Sequence, residues 1–253
     1  MKYISIILVL LSLNCFAQKV TIYGIGDSTM ADKVKPTENP EHGWLQVFPA
    51  LLTNDAKVIN KAVNGRSTKS FLKENRWDSI HKKLKPGDYV FIQFGHNDGK
   101  TTDSTRYTNP HTVYRYNLIR FVKEAREKGA IPILFSSVMR RNFNEQGVLI
   151  NTHIEYTQET RLIAQEYKVP FIDLEYQTEL LELSYGPEKS KKLHLHFKPG
   201  EVAYYPEGKD DNTHYSILGA TEVSKLVANQ ILLLDSPLCK NLKTVIKTET
   251  PKR

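Results

Sequence analysis

Three residues of this sequence have the types and the spacing of a nucleophile and its base. Ser28 ends the run Gly26-Asp27-Ser28, directly after a short β-branched stretch near the N-terminus. His214 follows Asp211 by three residues in Asp-Asn-Thr-His. A serine hydroxyl is a weak nucleophile until a histidine accepts its proton, and a carboxylate fixes the tautomer of that histidine. Singly, each element is more typical of a helix cap, but together they predict acyl-transfer chemistry.

The chemistry of a tetrahedral oxyanion needs fixed hydrogen-bond donors, and the sequence offers three. They are the backbone N–H groups of Ser28 and Gly65 and the side-chain amide of Asn97. Loss of one such donor typically costs about 3–4 kcal/mol of activation free energy. We therefore predict an oxyanion hole formed by Ser28, Gly65 and Asn97.

Five predicted strands alternate with helices, which is the pattern of a parallel sheet with helices on both faces. The predicted strands are residues 20–26, 57–63, 89–94, 130–135 and 169–174, and the clearest predicted helices are residues 44–52, 112–128, 152–167 and 216–234. The predicted fold class is α/β, a three-layer α/β/α, flavodoxin-like arrangement around a five-stranded parallel sheet. Loops at the carboxyl ends of such strands meet at one edge, so we expect Ser28, Gly65 and Asn97 to share that edge.

Residues 187–212 show little periodicity and predict a long loop before the last helix. His194 and His196 alternate within this loop. A metal site would need further ligands in a closed geometry, and the spacing assigns none. We therefore predict a polar loop over the site, with no metal and no cofactor.

The composition is that of a soluble globular protein, with 253 residues, 40% of them hydrophobic and 25% charged. We expect one domain over residues 18–236, a polar tail over residues 237–253, and a monomer. The formal charge of +7 is spread along the chain. This argues against nucleic acid as the main partner and is compatible with an acidic polysaccharide.

Residues 1–17 have the layout of a secretory signal peptide, with one lysine, an apolar run and a small-x-small ending at Ala17. An alternative is a lipoprotein signal with Cys15 as the anchored residue. We expect an exported protein, periplasmic or extracellular, without a stable membrane span. Cleavage after Ala17 would leave Cys239 as its one cysteine, without an internal disulfide.

Four sequence blocks together resemble the SGNH, or GDSL, hydrolase superfamily. They are Gly26-Asp-Ser28, Asn64-Gly-Arg-Ser67, Gly95-His-Asn97-Asp98 and Asp211-x-x-His214, in the family's order. The residues of the second and third blocks are most similar to those of rhamnogalacturonan acetylesterases. The resemblance implies that Ser28 is the nucleophile, that Asp211 and His214 complete its triad, and that Gly65 and Asn97 complete the oxyanion hole.

The resemblance implies a secreted serine esterase that removes O-acetyl groups from a plant cell-wall polysaccharide, such as pectic rhamnogalacturonan, through an acetyl-enzyme. We expect Arg66, Trp44 and Lys198 to contact this substrate. One alternative is a lipase, lysophospholipase or thioesterase on the same fold, which would require an apolar acyl cleft. Another is a non-catalytic glycan-binding protein.

Overall fold

A five-stranded parallel sheet forms the centre of the protein in the computed structural model, which describes residues 19–243. The strands are β1 (Val20–Gly26), β2 (Glu41–His42), β3 (Ala56–Asn60), β4 (Tyr89–Gln93), β5 (Ile131–Phe135), β6 (Phe171–Ile172), β7 (His194–Phe197) and β8 (Lys209–Ser216). The α-helices are α1 (Trp44–Val47), α2 (Thr68–Lys73), α3 (Arg76–His81), α4 (Arg115–Glu127), α5 (Ile154–Glu166), α6 (Leu174–Lys189) and α7 (Ile217–Leu233). Turns of 3₁₀-helix cover Phe48–Leu51, Ser190–Leu193 and Pro237–Asn241, and a π-helical turn covers Pro110–Tyr114. The order across the central sheet is β3-β1-β4-β5-β6, with every pair parallel, so the predicted sheet is confirmed.

Two apolar layers cover the faces of this sheet, because successive side chains of a strand point to opposite faces. On β1, Ile22 packs with residues of α1 and α7, whereas Tyr23 and Ile25 pack with residues of α3, α4 and α5. On β4, Phe91 and Ile92 divide between the two layers in the same way. The predicted three-layer α/β/α arrangement is therefore confirmed.

The carboxyl ends of β1, β3 and β4 lie side by side and bring three turns to one edge of the sheet. β1 ends with Gly26 opposite Gln93, the last residue of β4. The turns that follow these strands carry Ser28, Gly65 and Asn97. Residues far apart in the chain therefore share one edge, as the strand pattern predicted.

The predicted long loop over residues 187–212 is wrong, because much of this segment is regular. β7 and β8 pair as antiparallel strands there, and with β2 they form a second sheet. β8 is almost entirely polar, so it lacks the alternating apolar pattern that identifies a strand. Leu195 and Tyr215 are fully buried and anchor this sheet. Asp211 and His214 consequently lie on a strand and not on a loop.

The packed domain extends past residue 236, which was its predicted end. Leu238 is fully buried in the core, and Leu242 forms a bridge with Leu52. The leucines are separated by Cys239, Lys240 and Asn241, which gave the segment its polar appearance. The first residues of the predicted tail therefore belong to the domain.

The predicted signal peptide, residues 1–17 with Cys15, lies outside the described residues. Within residues 19–243, no helix is long and apolar enough to cross a membrane. Among the described residues Cys239 forms no disulfide, and its thiol lies 3.1 Å from the Ile231 carbonyl oxygen.

Candidate active site

Ser28, His214 and Asp211 form a continuous hydrogen-bonded chain. Ser28 Oγ lies 2.9 Å from His214 Nε2, and Nδ1 of the same ring lies 2.8 Å from Asp211 Oδ2. A carboxylate can only accept, so the ring proton lies on Nδ1 and the Nε2 lone pair faces the serine hydroxyl. In this tautomer, His214 can take the proton of Ser28 as its oxygen attacks a carbonyl carbon. The structure thus brings together residues 186 positions apart.

The environment of Asp211 keeps it ionised. Burial alone would raise the pKa of Asp211, but hydrogen bonds from the His214 ring, the His214 N–H and the Thr213 N–H hold that pKa well below its usual range. The carboxylate is therefore charged at neutral pH and can stabilise an imidazolium on His214.

A buried network fixes the turn that carries Ser28. Asp27 Oδ1 accepts hydrogen bonds from the Thr29 N–H at 3.0 Å and the Thr29 hydroxyl at 2.8 Å, so Asp27 organises its own turn. The Gln93 amide donates to Thr29 Oγ1 at 2.7 Å, and the Trp44 indole N–H donates to Gln93 Oε1 at 2.5 Å. Trp44 is fully buried in this network. The prediction that Trp44 binds substrate is therefore wrong, because its ring supports the nucleophile turn from inside the core.

Three donors predicted for an oxyanion are available at the sheet edge. Within residues 19–243, neither the Ser28 N–H nor the Gly65 N–H is hydrogen-bonded to another backbone or side-chain group. Gly65 has φ +75°, a conformation that favours glycine. The Asn97 amide donates one hydrogen to the Arg66 carbonyl oxygen at 3.2 Å, which leaves its second hydrogen available. Arg106 Nη1 donates to Asn97 Oδ1 at 3.3 Å and so fixes which way the amide points.

Asp98 ties the Asn97 turn to the start of α2. Its carboxylate accepts hydrogen bonds from the Thr68 N–H and hydroxyl and from the Thr108 hydroxyl. Burial raises the pKa of Asp98 to about 6, although these hydrogen bonds oppose the shift. Asp98 belongs to the third sequence block, but its role was not predicted, because neither threonine adjoins it in sequence.

The other two predicted substrate-binding residues lie at the surface. Arg66 Nε lies 3.1 Å from Glu74 Oε2, so its charge is already paired. Lys198 is exposed in the turn between β7 and β8, where its backbone N–H donates to Glu201. A substrate contact by either side chain remains a prediction.

The two alternating histidines have separate protein partners. His194 is buried, with Nε2 2.7 Å from Glu182 Oε1 and Nδ1 3.1 Å from the His214 carbonyl oxygen. His196 Nδ1 lies 2.8 Å from Asp210 Oδ1. No group of three or more His, Cys, Asp or Glu side chains that could hold a metal ion occurs within the described part of the chain. His194 therefore supports the backbone of the catalytic candidate His214, a role with no signal in the sequence.

Fold and site together define a family. The chain belongs to the GDSL-like lipase/acylhydrolase family, whose model matches residues 25–220, and it is an enzyme, a carboxylic ester hydrolase. It is similar to the rhamnogalacturonan acetylesterase RhgT of Bacillus subtilis (strain 168), with 44% identity over 223 residues that cover 88% of this chain and 94% of RhgT. It is also similar to the probable rhamnogalacturonan acetylesterase YesY of the same strain, with 36% identity covering 87% of this chain and 96% of YesY.

A solved structure shares the fold. The crystal structure of the Bacillus subtilis protein YxiM superposes with a TM-score of 0.69 at 25% identity, covering 84% of this chain. This chain spans 56% of the length of that structure. The resemblance to GDSL hydrolases that the sequence blocks predicted is confirmed.

Proposed function

We propose that this protein is a serine esterase that removes O-acetyl groups from pectic rhamnogalacturonan. The observation that carries the proposal is the unbroken chain from Ser28 Oγ through His214 to the Asp211 carboxylate, with contacts of 2.9 and 2.8 Å. The substrate class is supported by the similarity to RhgT and YesY, at 44% and 36% identity.

The proposed reaction runs through an acetyl-enzyme. Ser28 Oγ attacks the acetyl carbonyl carbon while its proton passes to His214 Nε2. The carbonyl oxygen becomes an oxyanion, which accepts hydrogen bonds from the Ser28 and Gly65 N–H groups and from the Asn97 amide. His214 then gives the proton to the sugar oxygen as the bond between that oxygen and the carbonyl carbon breaks.

Water completes the cycle in the proposed mechanism. His214 removes a proton from a water molecule, whose oxygen attacks the carbonyl carbon of acetyl-Ser28. Acetate leaves when the bond to Ser28 Oγ breaks, and the serine recovers its proton from His214. No metal or redox partner enters the balance.

The decisive experiment measures acetate release from acetylated rhamnogalacturonan, homogalacturonan and xylan. We expect the highest kcat/KM on rhamnogalacturonan, and we expect Ser28→Ala to lower kcat by at least about 10⁴-fold. Ser184→Ala is the matched control, because Ser184 is exposed on α6 and its hydroxyl donates to the Leu181 carbonyl.

Three results would overturn the proposal. Retained activity of Ser28→Ala on an aryl acetate would remove Ser28 as the nucleophile. A preference for octanoyl over acetyl esters would favour a lipase or thioesterase and reject the carbohydrate substrate. Specific pectin binding without acetate release by the wild type would favour the glycan-binding alternative.

Export is a further part of the proposal, based on the layout of residues 1–17. Mass spectrometry of the mature protein should then find Gln18 at its N-terminus. A lipid-modified Cys15 would instead support the lipoprotein alternative, and an intact Met1 in the exported fraction would reject both.

A monomer in solution is expected, and sedimentation velocity would test it.

A further inference from the structure

Arg140 lies between the two halves of the candidate active site. On one side, the N–H of the next residue, Arg141, donates to the Asn212 carbonyl oxygen at 2.9 Å, next to Asp211 on β8. On the other side, Arg140 Nε donates to His96 Nδ1 at 3.3 Å, and His96 directly precedes Asn97 in sequence. The guanidinium is therefore placed between the strand that carries the base and the turn that carries the oxyanion donor.

The guanidinium of Arg140 lacks a carboxylate partner in the described part of the chain. Within residues 19–243, no carboxylate oxygen lies within 4.0 Å of it, whereas Arg66, Arg106 and Lys33 are paired with nearby acidic side chains. Its terminal nitrogens make no hydrogen bond to the described chain, and the residue is partly exposed. Partial burial lowers the pKa of Arg140, and the charges of Asp27 and Asp211 oppose this shift. An arginine remains charged under these conditions, so a half-buried cation faces the site with unused donors.

His96 holds Arg140 without neutralising it. Burial lowers the pKa of His96 well below its usual range, with the positive charge of Arg140 and the His153 ring adding to the effect. His96 is therefore neutral, and its Nδ1 lone pair accepts the Nε–H of Arg140. The N–H donors on the two terminal nitrogens of Arg140 remain unused, and their geometry matches the two oxygens of a carboxylate.

We propose that Arg140 binds a carboxylate of the substrate and forms an anion subsite for a uronate residue of the acetylated chain. The proposal rests on the proposed function, because it assigns the recognition of an acidic polysaccharide to a particular side chain. It also replaces Arg66, which is paired with Glu74, as the main cation for substrate recognition.

The test compares wild type and Arg140→Gln on acetylated rhamnogalacturonan oligosaccharides whose carboxyls are free or methyl-esterified. We expect Arg140→Gln to raise KM about tenfold for the free acids and to leave KM for the methyl esters within about twofold. The matched control is Arg126→Gln, at the end of α4, where Arg126 donates to the Tyr167 and Lys168 carbonyl oxygens.

Several outcomes separate failure of the subsite from failure of the proposed function. Equal KM changes on free acids and methyl esters would overturn the subsite, while acetate release by the wild type would leave the esterase proposal intact. Absence of acetate release by a wild type that cleaves octanoyl esters would overturn both. If Arg140→Gln does not fold, Arg140→Lys serves instead, with a smaller rise in KM confined to the free acids. The wild type alone should also favour free acids over methyl esters, and lack of that preference would overturn the subsite.

Discussion

The ammonium group of Lys33 lies 2.6 Å from the carbonyl oxygen of Ser28. The same nitrogen donates to Asn64 Oδ1 at 2.7 Å and lies 2.8 Å from Glu41 Oε1. A lysine whose side chain is 2% exposed thus joins the nucleophile turn to the residue before Gly65. A buried cation therefore fixes the turn of the candidate nucleophile relative to the turn of one oxyanion donor.

We expect Lys33→Met to lower the free energy of unfolding by about 3 kcal/mol, because it leaves the largely buried Glu41 carboxylate without its cation. We also expect kcat to fall about tenfold, since the Ser28 and Gly65 turns would no longer be fixed to each other. Urea denaturation and aryl acetate kinetics measure the two effects. Lys35→Met is the control, because Lys35 is 66% exposed and pairs with an exposed Glu38. Equal stability of the two variants would contradict the role assigned to Lys33.

We expect Asp211→Asn to lower kcat by about 10³–10⁴-fold with little change in KM. The amide can present its N–H to His214 and favour the wrong tautomer, as removal of the triad carboxylate does in other serine hydrolases. Asp210→Asn is a close control, since Asp210 is the preceding residue, 85% exposed and paired with His196. Comparable losses in both variants would show that the charge of β8 matters and not the hydrogen bond from His214.

The low pKa of Asp211 also predicts a pH-dependent contribution to stability. Because this pKa is lower in the folded than in the unfolded chain, the unfolded chain binds the proton more tightly. The stabilisation is therefore complete above the unfolded value, about pH 4, and is lost as the pH falls toward the folded value. The difference in free energy of unfolding between wild type and Asp211→Asn should shrink between about pH 5 and pH 2. A difference that is constant over this range in urea titrations would contradict the assignment.

The sequence was sufficient for the central sheet and for the residues at its carboxyl edge. Apolar strands such as Tyr89–Gln93, alternating with helices, specify a parallel sheet, and that topology places Ser28 and Asn97 at one edge. The meeting of Ser28 and His214 was predicted from the chemistry of the residues and from the resemblance of the four blocks. The strand pattern did not predict it, because the strand that carries His214 shows no apolar alternation.

The remaining differences arise from contacts between distant polar residues. Trp44 was expected to lie at the surface and bind sugar. Its indole N–H instead donates to Gln93 inside the core, so the ring is buried. From the sequence alone, Lys33 would be taken for a solvated surface lysine. The structure places Glu41 and the Ser28 carbonyl oxygen beside its ammonium group. Pairings of this kind follow from tertiary structure, and no local pattern predicts them.

We expect Arg106→Gln to lower kcat about tenfold with KM nearly unchanged, because Arg106 acts through Asn97. Its guanidinium donates to Asn97 Oδ1 at 3.3 Å and lies 3.5 Å from the position that a Cβ on Gly65 would occupy, so it orients one candidate oxyanion donor and borders another. An interaction made only with the transition state appears in kcat. Asn97→Ala should cost about 10²–10³-fold, and Arg106→Gln should add little to it.

A control for Arg106 lies in its own ion pair. Arg106 Nε is 2.5 Å from Asp103 Oδ2, and Asp103→Asn removes that pair while leaving the contact with Asn97. We expect Asp103→Asn to keep kcat within about twofold, because Arg106 still orients the side-chain amide of Asn97. An equal loss in both variants, or full additivity of Arg106→Gln and Asn97→Ala, would show that Arg106 stabilises the loop and does not position the amide.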